Sequence, residues 1–426
     1  MTVGMLASII VVLLLLQLAS VALVGLYRRK RQYRCSIDAG RNKSQPLSVS
    51  GESVPSASNG QHANKASVWA GFREFRVARR VVEDRNRSIC SFYLVPVDGQ
   101  PLPSFKPGQF LTFRLTIEDP ATRQPKRLVR CYSLSDRPRP DYYRVSIKRV
   151  PAPADQPNIP PGLSSNYFHD HVHEGSILEV KAPSGHFHLM EDEPLPIVLI
   201  GGGIGITPML SIINSLLERG SRRQIWLYYG VRNGSEAVMQ EHLQRLDREY
   251  ENFHLQLCFS SPDVGEVEGV DYRQKGRIDI PLLRSTLKLM RYQFYVCGPK
   301  PMMESLAPGL EAWGVKTQDI YYESFGPATL IRHKKTIFTD MEPIAVTFDE
   351  SGRSITWSPK LDSLLELAEE NAIAVKSGCR AGSCGSCQTK LVSGEIEYQQ
   401  QPDAEIEPGH CLLCISTPKS DITLAA

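Results

Sequence analysis

Five of the chain's ten cysteines, Cys379, Cys384, Cys387, Cys411 and Cys414, crowd its C-terminal end, whereas Cys35, Cys90, Cys131, Cys258 and Cys297 stand singly. In a chain this long, clustered thiols read as metal ligands. Scattered thiols read as reduced and mostly buried, so a reducing compartment is expected. Three of the clustered residues have the spacing C-x4-C-x2-C, in the segment Cys379-Arg-Ala-Gly-Ser-Cys384-Gly-Ser-Cys387. A negatively charged metal–sulfur centre needs many backbone N–H donors around it and little side-chain bulk, and Ala381, Gly382, Ser383, Gly385 and Ser386 supply both. Zinc knuckles usually come as two C-x2-C pairs. Here Cys384–Cys387 is one, and a second would need Cys411 and Cys414 to pair. The spacing favours an iron–sulfur loop over a zinc site.

At 426 residues the chain is long enough for two or three domains. A net charge of +3 gives no reason to expect nucleic acid as a partner. The N-terminus departs from ordinary composition. Residues 4–26 are almost unbroken apolar, which as a helix would span about 34 Å at 1.5 Å per residue, enough to cross a bilayer. The basic run Tyr27 to Arg34 follows directly, and no charge precedes the apolar stretch. The positive-inside rule then predicts a single-pass anchor with the rest of the chain in the cytoplasm. A cleaved signal would carry its positive charge before a shorter apolar run. With that basic flank, the Ser-, Asn- and Gly-rich stretch makes residues 27–71 a flexible tether.

From Phe72 the pattern changes to short alternating runs separated by Pro, Gly and Asp, among them FREFRVARRVVED, SICSFYLVPV, QFLTFRLTI, YRVSIKRV and SILEVKAP. Such spacing predicts a small antiparallel barrel. Within it lie Pro107-Gly108-Gln109 and Arg130-Cys131-Tyr132-Ser133, then Gly162-Leu163-Ser164-Ser165-Asn166, with Lys148 and Arg149 between them. A guanidinium fork fits phosphate oxygens, and Ser165 reads as an N-cap whose free helix amides would bind phosphate. His169, His171 and His173 alternate without an evident third ligand on one face, and are expected to be a solvated helix end rather than a metal site.

Residues Leu195 to Gly220 read as strand, glycine turn and helix, and strands QIWLYYGVR, FHLQLCFSS and QFYVCGP follow with helices between. That is an α/β doubly wound layout. Gly201, Gly203 and Gly205 allow close approach of a diphosphate, although Thr207-Pro208 follows where a strict dinucleotide fingerprint has a third glycine. Downstream come Cys297-Gly298-Pro299 and Tyr322-Glu323-Ser324-Phe325-Gly326-Pro327.

Together these segments resemble the ferredoxin–NADP reductase superfamily, from about Phe72 to Ala426. The domain order is similar to phthalate dioxygenase reductase and hybrid-cluster-protein reductase. The loop and C-terminal motifs are similar to the flavohaemoglobin reductase domain, which favours FAD over FMN. The resemblance implies that Arg130, Tyr132, Ser133, Lys148, Gly162, Ser164 and Ser165 hold the flavin. It implies that Gly203, Gly205, Thr207, Gly298 and Pro299 hold the nicotinamide coenzyme, with Phe325 at the flavin–nicotinamide contact. Ser133, Cys297 and Glu323 would shape the site of hydride transfer. Cys379, Cys384 and Cys387 match the plant-type [2Fe–2S] spacing, and the family's fourth ligand falls near Cys414, whose Leu-Leu-Cys setting favours it over Cys411.

The expected organisation is a transmembrane anchor (4–26), tether (27–71), antiparallel β-barrel FAD domain (72–192), doubly wound NAD(P)H domain (193–327), linker (328–342) and α+β β-grasp ferredoxin domain (343–426). NADH is favoured, with Arg232 leaving NADPH open. The expected function is that of a membrane-anchored reductase passing electrons from NADH through FAD and the [2Fe–2S] cluster to a separate metalloprotein, such as a terminal oxygenase, hydroxylase or desaturase. The alternative is a redox-complex subunit that reduces quinone or another membrane carrier.

Overall fold

The computed structural model describes residues 69–118, 123–152, 160–191, 194–324, 343–359, 361–380, 382–399, 401–402 and 404–426. The apolar run 4–26, the tether up to residue 68, the linker 328–342 and Phe325 lie outside them. Among the described residues no helix is long and apolar enough to cross a membrane. They belong to one compact unit built on three larger sheets and a two-stranded one.

The first sheet contains β1 (Arg73–Val82), β2 (Ile89–Pro96), β3 (Phe110–Glu118), β4 (Pro125–Ser133), β5 (Tyr143–Lys148) and β6 (Ile177–Ser184). Its order is β4-β3-β6-β1-β2-β5, and the paired neighbours are antiparallel. Just beyond β4, Leu134 bridges Val145 and the Ser135 amide donates to the Arg144 carbonyl at 2.8 Å, which draws the two edges into a barrel. Phe75, Phe92 and Phe113 from the strands and Phe168 from helix α1 (Leu163–His171) are wholly buried in its core. Each such ring is worth roughly 1.5–3 kcal/mol of burial.

The second sheet is parallel throughout, in the order β10-β9-β8-β7-β11-β12. Its strands are β7 (Ile197–Gly202), β8 (Ile225–Val231), β9 (Phe253–Phe259), β10 (Gln274–Lys275), β11 (Gln293–Gly298) and β12 (Ile320–Ser324). Helices α2 (Ile206–Glu218), α3 (Gln240–Glu249), α4 (Ile280–Thr286) and α5 (Lys300–Ala312) connect them. β7 is buried at every residue, as a strand covered on both faces must be, which explains its unbroken apolar run. The chain leaves β7 toward β8 on one side and returns to β11 on the other. The crevice between the C-terminal ends of β7 and β11 is therefore the topological switch point, where α/β sheets bind ligands.

The third sheet, β14-β13-β19-β15-β17, belongs to the C-terminal part. Its strands are β13 (Ala345–Phe348), β14 (Arg353–Thr356), β15 (Gln388–Ser393), β17 (His410–Leu412) and β19 (Ile422–Leu424), while β16 (Ile396–Tyr398) pairs with β18 (Ser416–Pro418). β13 and β14 pair antiparallel as a hairpin. Helix α6 (Leu364–Glu370) is capped by Ser363, whose hydroxyl accepts from the Glu366 amide at 3.2 Å. The Glu366 carboxylate accepts from the Asp362 amide at 2.8 Å, which completes a reciprocal cap.

Candidate functional site

A cavity of about 1370 Å³ opens where the three sheets meet. Arg130, Tyr132 and Ser133 of β4, Lys148 at the end of β5, and Gly162, Ser164 and Ser165 at the start of α1 line its barrel side. Gly203, Thr207, Gly298 and Pro299 line the side of the parallel sheet, and Cys379 and Arg380 reach it from the C-terminal part. Cys297 and Gly205 do not line it.

On the barrel side, the Tyr132 and Ser164 hydroxyls are 2.8 Å apart, and burial pushes the Tyr132 phenol up to about 12. Helix α1 begins one turn earlier than expected, with Gly162 as N-cap and Ser165 inside the first turn. The Ser165 hydroxyl donates to the Gly162 carbonyl at 3.1 Å instead of capping, so the amides that begin the helix are those of Leu163 and Ser164. Lys148 lines the cavity with its ammonium 3.7 Å from Glu236. The histidines also differ from expectation. The helix stops at His171, and His169 is buried with its ring nitrogen 2.9 Å from the Ile147 carbonyl oxygen, so it is a core residue. Burial holds its ionisation below the ordinary value.

The glycine turn packs directly against β11. A Cβ on Gly205 would lie 2.1 Å from the Cys297 carbonyl oxygen, so only glycine fits. Gly203 takes φ +54° with open space where a Cβ would be. Thr207 closes the turn by donating to the Ile204 carbonyl at 3.0 Å. Cys297 pairs in register with Gly201 on one side and Glu323 on the other, but its side chain is fully buried in the core beneath the turn. Burial, and after it the Glu323 charge, push its thiol well above the ordinary value.

Glu323 faces the cavity beside Ser133, whose hydroxyl donates to it at 3.1 Å, a contact between barrel and parallel sheet. Glu323 keeps a window onto the cavity. Burial nonetheless pushes its carboxyl up to about 8 against the lowering effect of the Ser133 bond, so it is protonated at neutral pH. Asp136 clamps the same two sheets together, accepting from Tyr142 at 2.8 Å and from Asn214 of α2 at 3.0 Å.

In the C-terminal loop the thiols form two linked pairs. Cys379 and Cys384 are in hydrogen-bonding contact, Cys387 and Cys414 are likewise, and Cys414 also meets Cys379. Cys411 joins neither pair. It faces Thr389 across β15–β17, and burial pushes its thiol up to about 12. No three described His, Cys, Asp or Glu side chains close on one point as ligands of a single ion would. Two joined pairs are the arrangement a two-iron centre requires, with two thiolates for each iron. The amides of Ser383 and Cys384 donate to Cys379 Sγ at 3.2 Å, and that of Ser386 to Cys384 Sγ at 3.4 Å. These bonds supply the N–H donors that cluster sulfur accepts. Gly382 adopts φ +73°, and a Cβ there would press on Ile415 at 2.5 Å.

Four residues at this junction carried no recognisable sequence signal. Glu236 follows β8 and accepts from Arg232 Nε at 2.6 Å inside the cavity wall. Lys181 donates to the Cys384 carbonyl at 2.9 Å. Cys131 contacts the thiols of Cys379 and Cys384, and Thr112 Oγ1 lies 3.3 Å from its sulfur. The Lys181–Cys384 contact spans 203 residues and the Lys148–Glu236 pair joins β5 to the segment after β8, so no local motif encodes them.

The cavity fits flavin and nicotinamide. A buried Tyr322 hydroxyl in its wall has no partner among the described residues, and the glycine turn and the α1 N-terminus both offer backbone to a diphosphate. Fold and site thus define a reductase that joins a flavin barrel, a nicotinamide domain and a cysteine loop.

Comparison with known proteins agrees. Residues 199–307 match the oxidoreductase NAD-binding domain, and residues 346–419 match the 2Fe-2S iron-sulfur cluster binding domain. The flavohemoprotein of Halalkalibacterium halodurans is 42% identical over 260 residues, 61% of this chain. The match spans 61% of that relative's length. The FAD/NAD-binding domain of nitric oxide dioxygenase from Vibrio cholerae is 30% identical, with 60% of this chain and all of that domain covered, at a TM-score of 0.52. An intact type IV self-sufficient cytochrome P450 monooxygenase shares the fold over 83% of this chain and 41% of its own, at 20% identity and a TM-score of 0.52. The chain belongs to the ferredoxin–NADP reductase superfamily and carries a C-terminal [2Fe–2S] ferredoxin domain. It combines an oxidoreductase NAD-binding domain with a 2Fe-2S cluster-binding domain, an arrangement that fits FAD, a nicotinamide coenzyme and a [2Fe–2S] cluster.

Proposed function

We propose that this reductase is held at a membrane by residues 4–26 and delivers electrons from its cytoplasmic cluster to a separate metalloprotein, a terminal oxygenase, hydroxylase or desaturase. One observation carries the relay within the chain: a single cavity is walled by the flavin barrel, the nicotinamide turn and the cysteine loop together. Flavin is the group that accepts an electron pair as hydride and releases electrons singly, which a one-electron cluster needs.

The chain's own residues divide the remaining work. Arg130, Lys148 and the first amides of α1 hold the flavin diphosphate, and Ser164 orients Tyr132. Gly203, Gly205 and Thr207 shape the turn that receives the coenzyme diphosphate. Ser133 and protonated Glu323 keep the hydride-transfer end free of net charge and packed against water. Cys297 supports that end from beneath, through its backbone and its register with Glu323. Cys379, Cys384, Cys387 and Cys414 would hold the cluster. NADH is the coenzyme because Glu236 neutralises Arg232 and presents a carboxylate where a 2′-phosphate would need a free cation.

The test is made on the full chain purified in detergent. It should show flavin and [2Fe–2S] absorbance, reduce cytochrome c with NADH, and stay with membranes through alkaline extraction. Deleting residues 1–34 should release it. A colourless protein sinks the relay, and a full chain extracted by alkali sinks the anchor.

A further inference from the structure

β4 is the strand on which the three sheets meet. Its residues 131 and 133 share one face because strand side chains alternate. Ser133 on that face bonds Glu323 of the parallel sheet, while Cys131, two positions back, contacts Cys379 and Cys384. Cys131 is not isolated on the barrel wall. It pairs in register with Thr112 of β3, and Thr112 pairs in register with Lys181 of β6, so the three form a lateral row across neighbouring strands. Thr112 Oγ1 lies 3.3 Å from Cys131 Sγ, and Lys181 Nζ donates to the Cys384 carbonyl at 2.9 Å. Both ends of the row therefore grip the same turn of the cysteine loop.

We propose that this row is the dock by which the flavin barrel holds the cluster loop, and that Cys131, itself not a ligand, donates its S–H to the ligand sulfurs of Cys379 and Cys384. The inference rests on reading those two residues as cluster ligands. A thiol is a weak donor, and thiolate sulfur on an iron–sulfur cluster accepts such bonds. Each bond to cluster sulfur favours the more negative, reduced cluster and so raises its reduction potential. Cys131 is neither oxidised nor reduced in this role, and it keeps its proton. It is a positioning residue that sets the potential of the centre receiving electrons from the flavin side.

The test uses the full chain with cofactors loaded and reads the cluster's midpoint potential by EPR-monitored titration. Cys131→Ala should move the potential to a more negative value, and Cys131→Ser, which keeps a donor, should recover more than half of that shift. An unmoved potential in Cys131→Ala, or a Ser variant identical to Ala, overturns the proposal. If Cys131→Ala does not retain its cluster, Thr112→Val carries the test. A smaller negative shift then supports the proposal, and an unmoved potential overturns it. A wild-type chain with no [2Fe–2S] signal after chemical reduction fails the cluster reading itself. A normal wild-type signal with unmoved variants fails only this inference.

Discussion

The glycine turn after β7 and the cysteine loop after α6 both bring bare backbone close to a charged cofactor, yet they are held in opposite ways. The glycine turn is clamped between fully paired parallel strands, with Cys297 and Gly201 in register beneath it. Its shape is set before any ligand arrives. The cysteine loop runs between a seven-residue helix and β15, with left-handed turns at Arg380, Gly382 and Gly385. Its thiols meet one another, and backbone amides of the loop donate to their sulfurs. A pre-formed site should tolerate loss of its ligand, whereas a loop built around its cluster should not.

The largest expected effect therefore falls on the loop. Cys384→Ser should abolish the cluster and NADH-driven cytochrome c reduction, and should split off an early calorimetric transition for the C-terminal domain. NADH-driven ferricyanide reduction should persist through the flavin. Loss of both activities would erase the contrast between the two regions. Chemical removal of the iron should reproduce the early transition in the unmutated chain.

Gly205→Ala tests the rigid side. The added methyl meets a backbone carbonyl that cannot swing away, so a loss of about 3 kcal/mol in the nucleotide domain is expected by chemical denaturation. A near-neutral result would mean that the turn is as pliant as the cysteine loop.

Glu323 sharpens the comparison through pH. Its value in the fold, about 8, lies above the ordinary 4.5. The stability it contributes as a neutral acid is thus fully present below pH 4.5 and lost as pH rises through about 8. Ionisation also places a negative charge beside the ring system that receives hydride. Flavin reduction by NADH should fall above that pH in stopped-flow measurements. Glu323→Gln should remove the break while slowing the step about tenfold at neutral pH. A break that survives in the glutamine variant would assign it to another group.

The smallest effect concerns coenzyme choice. Glu236→Ala frees Arg232, and should shift the ratio of kcat/KM for NADPH over NADH upward by about tenfold, near 1.4 kcal/mol. An unchanged ratio would separate this pair from the coenzyme site.

Much of this architecture can be read in one dimension. The buried apolar run of β7, the alternation in β2 and β3, and the thiol spacing all reflect forces between near neighbours along the chain. Backbone pairing and loop geometry act over a few residues, and composition reports them directly. The start of α1 was displaced by one turn because the Ser165 hydroxyl donates to the Gly162 carbonyl and accepts from the Val150 amide at 3.3 Å, a partner far from the helix in sequence. His169 looked solvated because the strand that buries it, ending near Ile147, is not visible from its own helix.

The sequence by itself determined the class of this protein: a flavin barrel, a doubly wound nicotinamide domain and a cysteine loop, in that order. Only the tertiary structure decided how the three are joined. Lys181 and Cys384 stand 203 residues apart, and Ser133 and Glu323 stand 190 apart, so neither contact leaves a local pattern. Cys414, which its Leu-Leu-Cys setting already favoured, meets Cys379 and Cys387 while Cys411, three positions earlier, turns toward Thr389. Spacing along the chain limits which thiols can reach a centre. The short helical turn Leu413–Ile415, packed against α6, decides which one does.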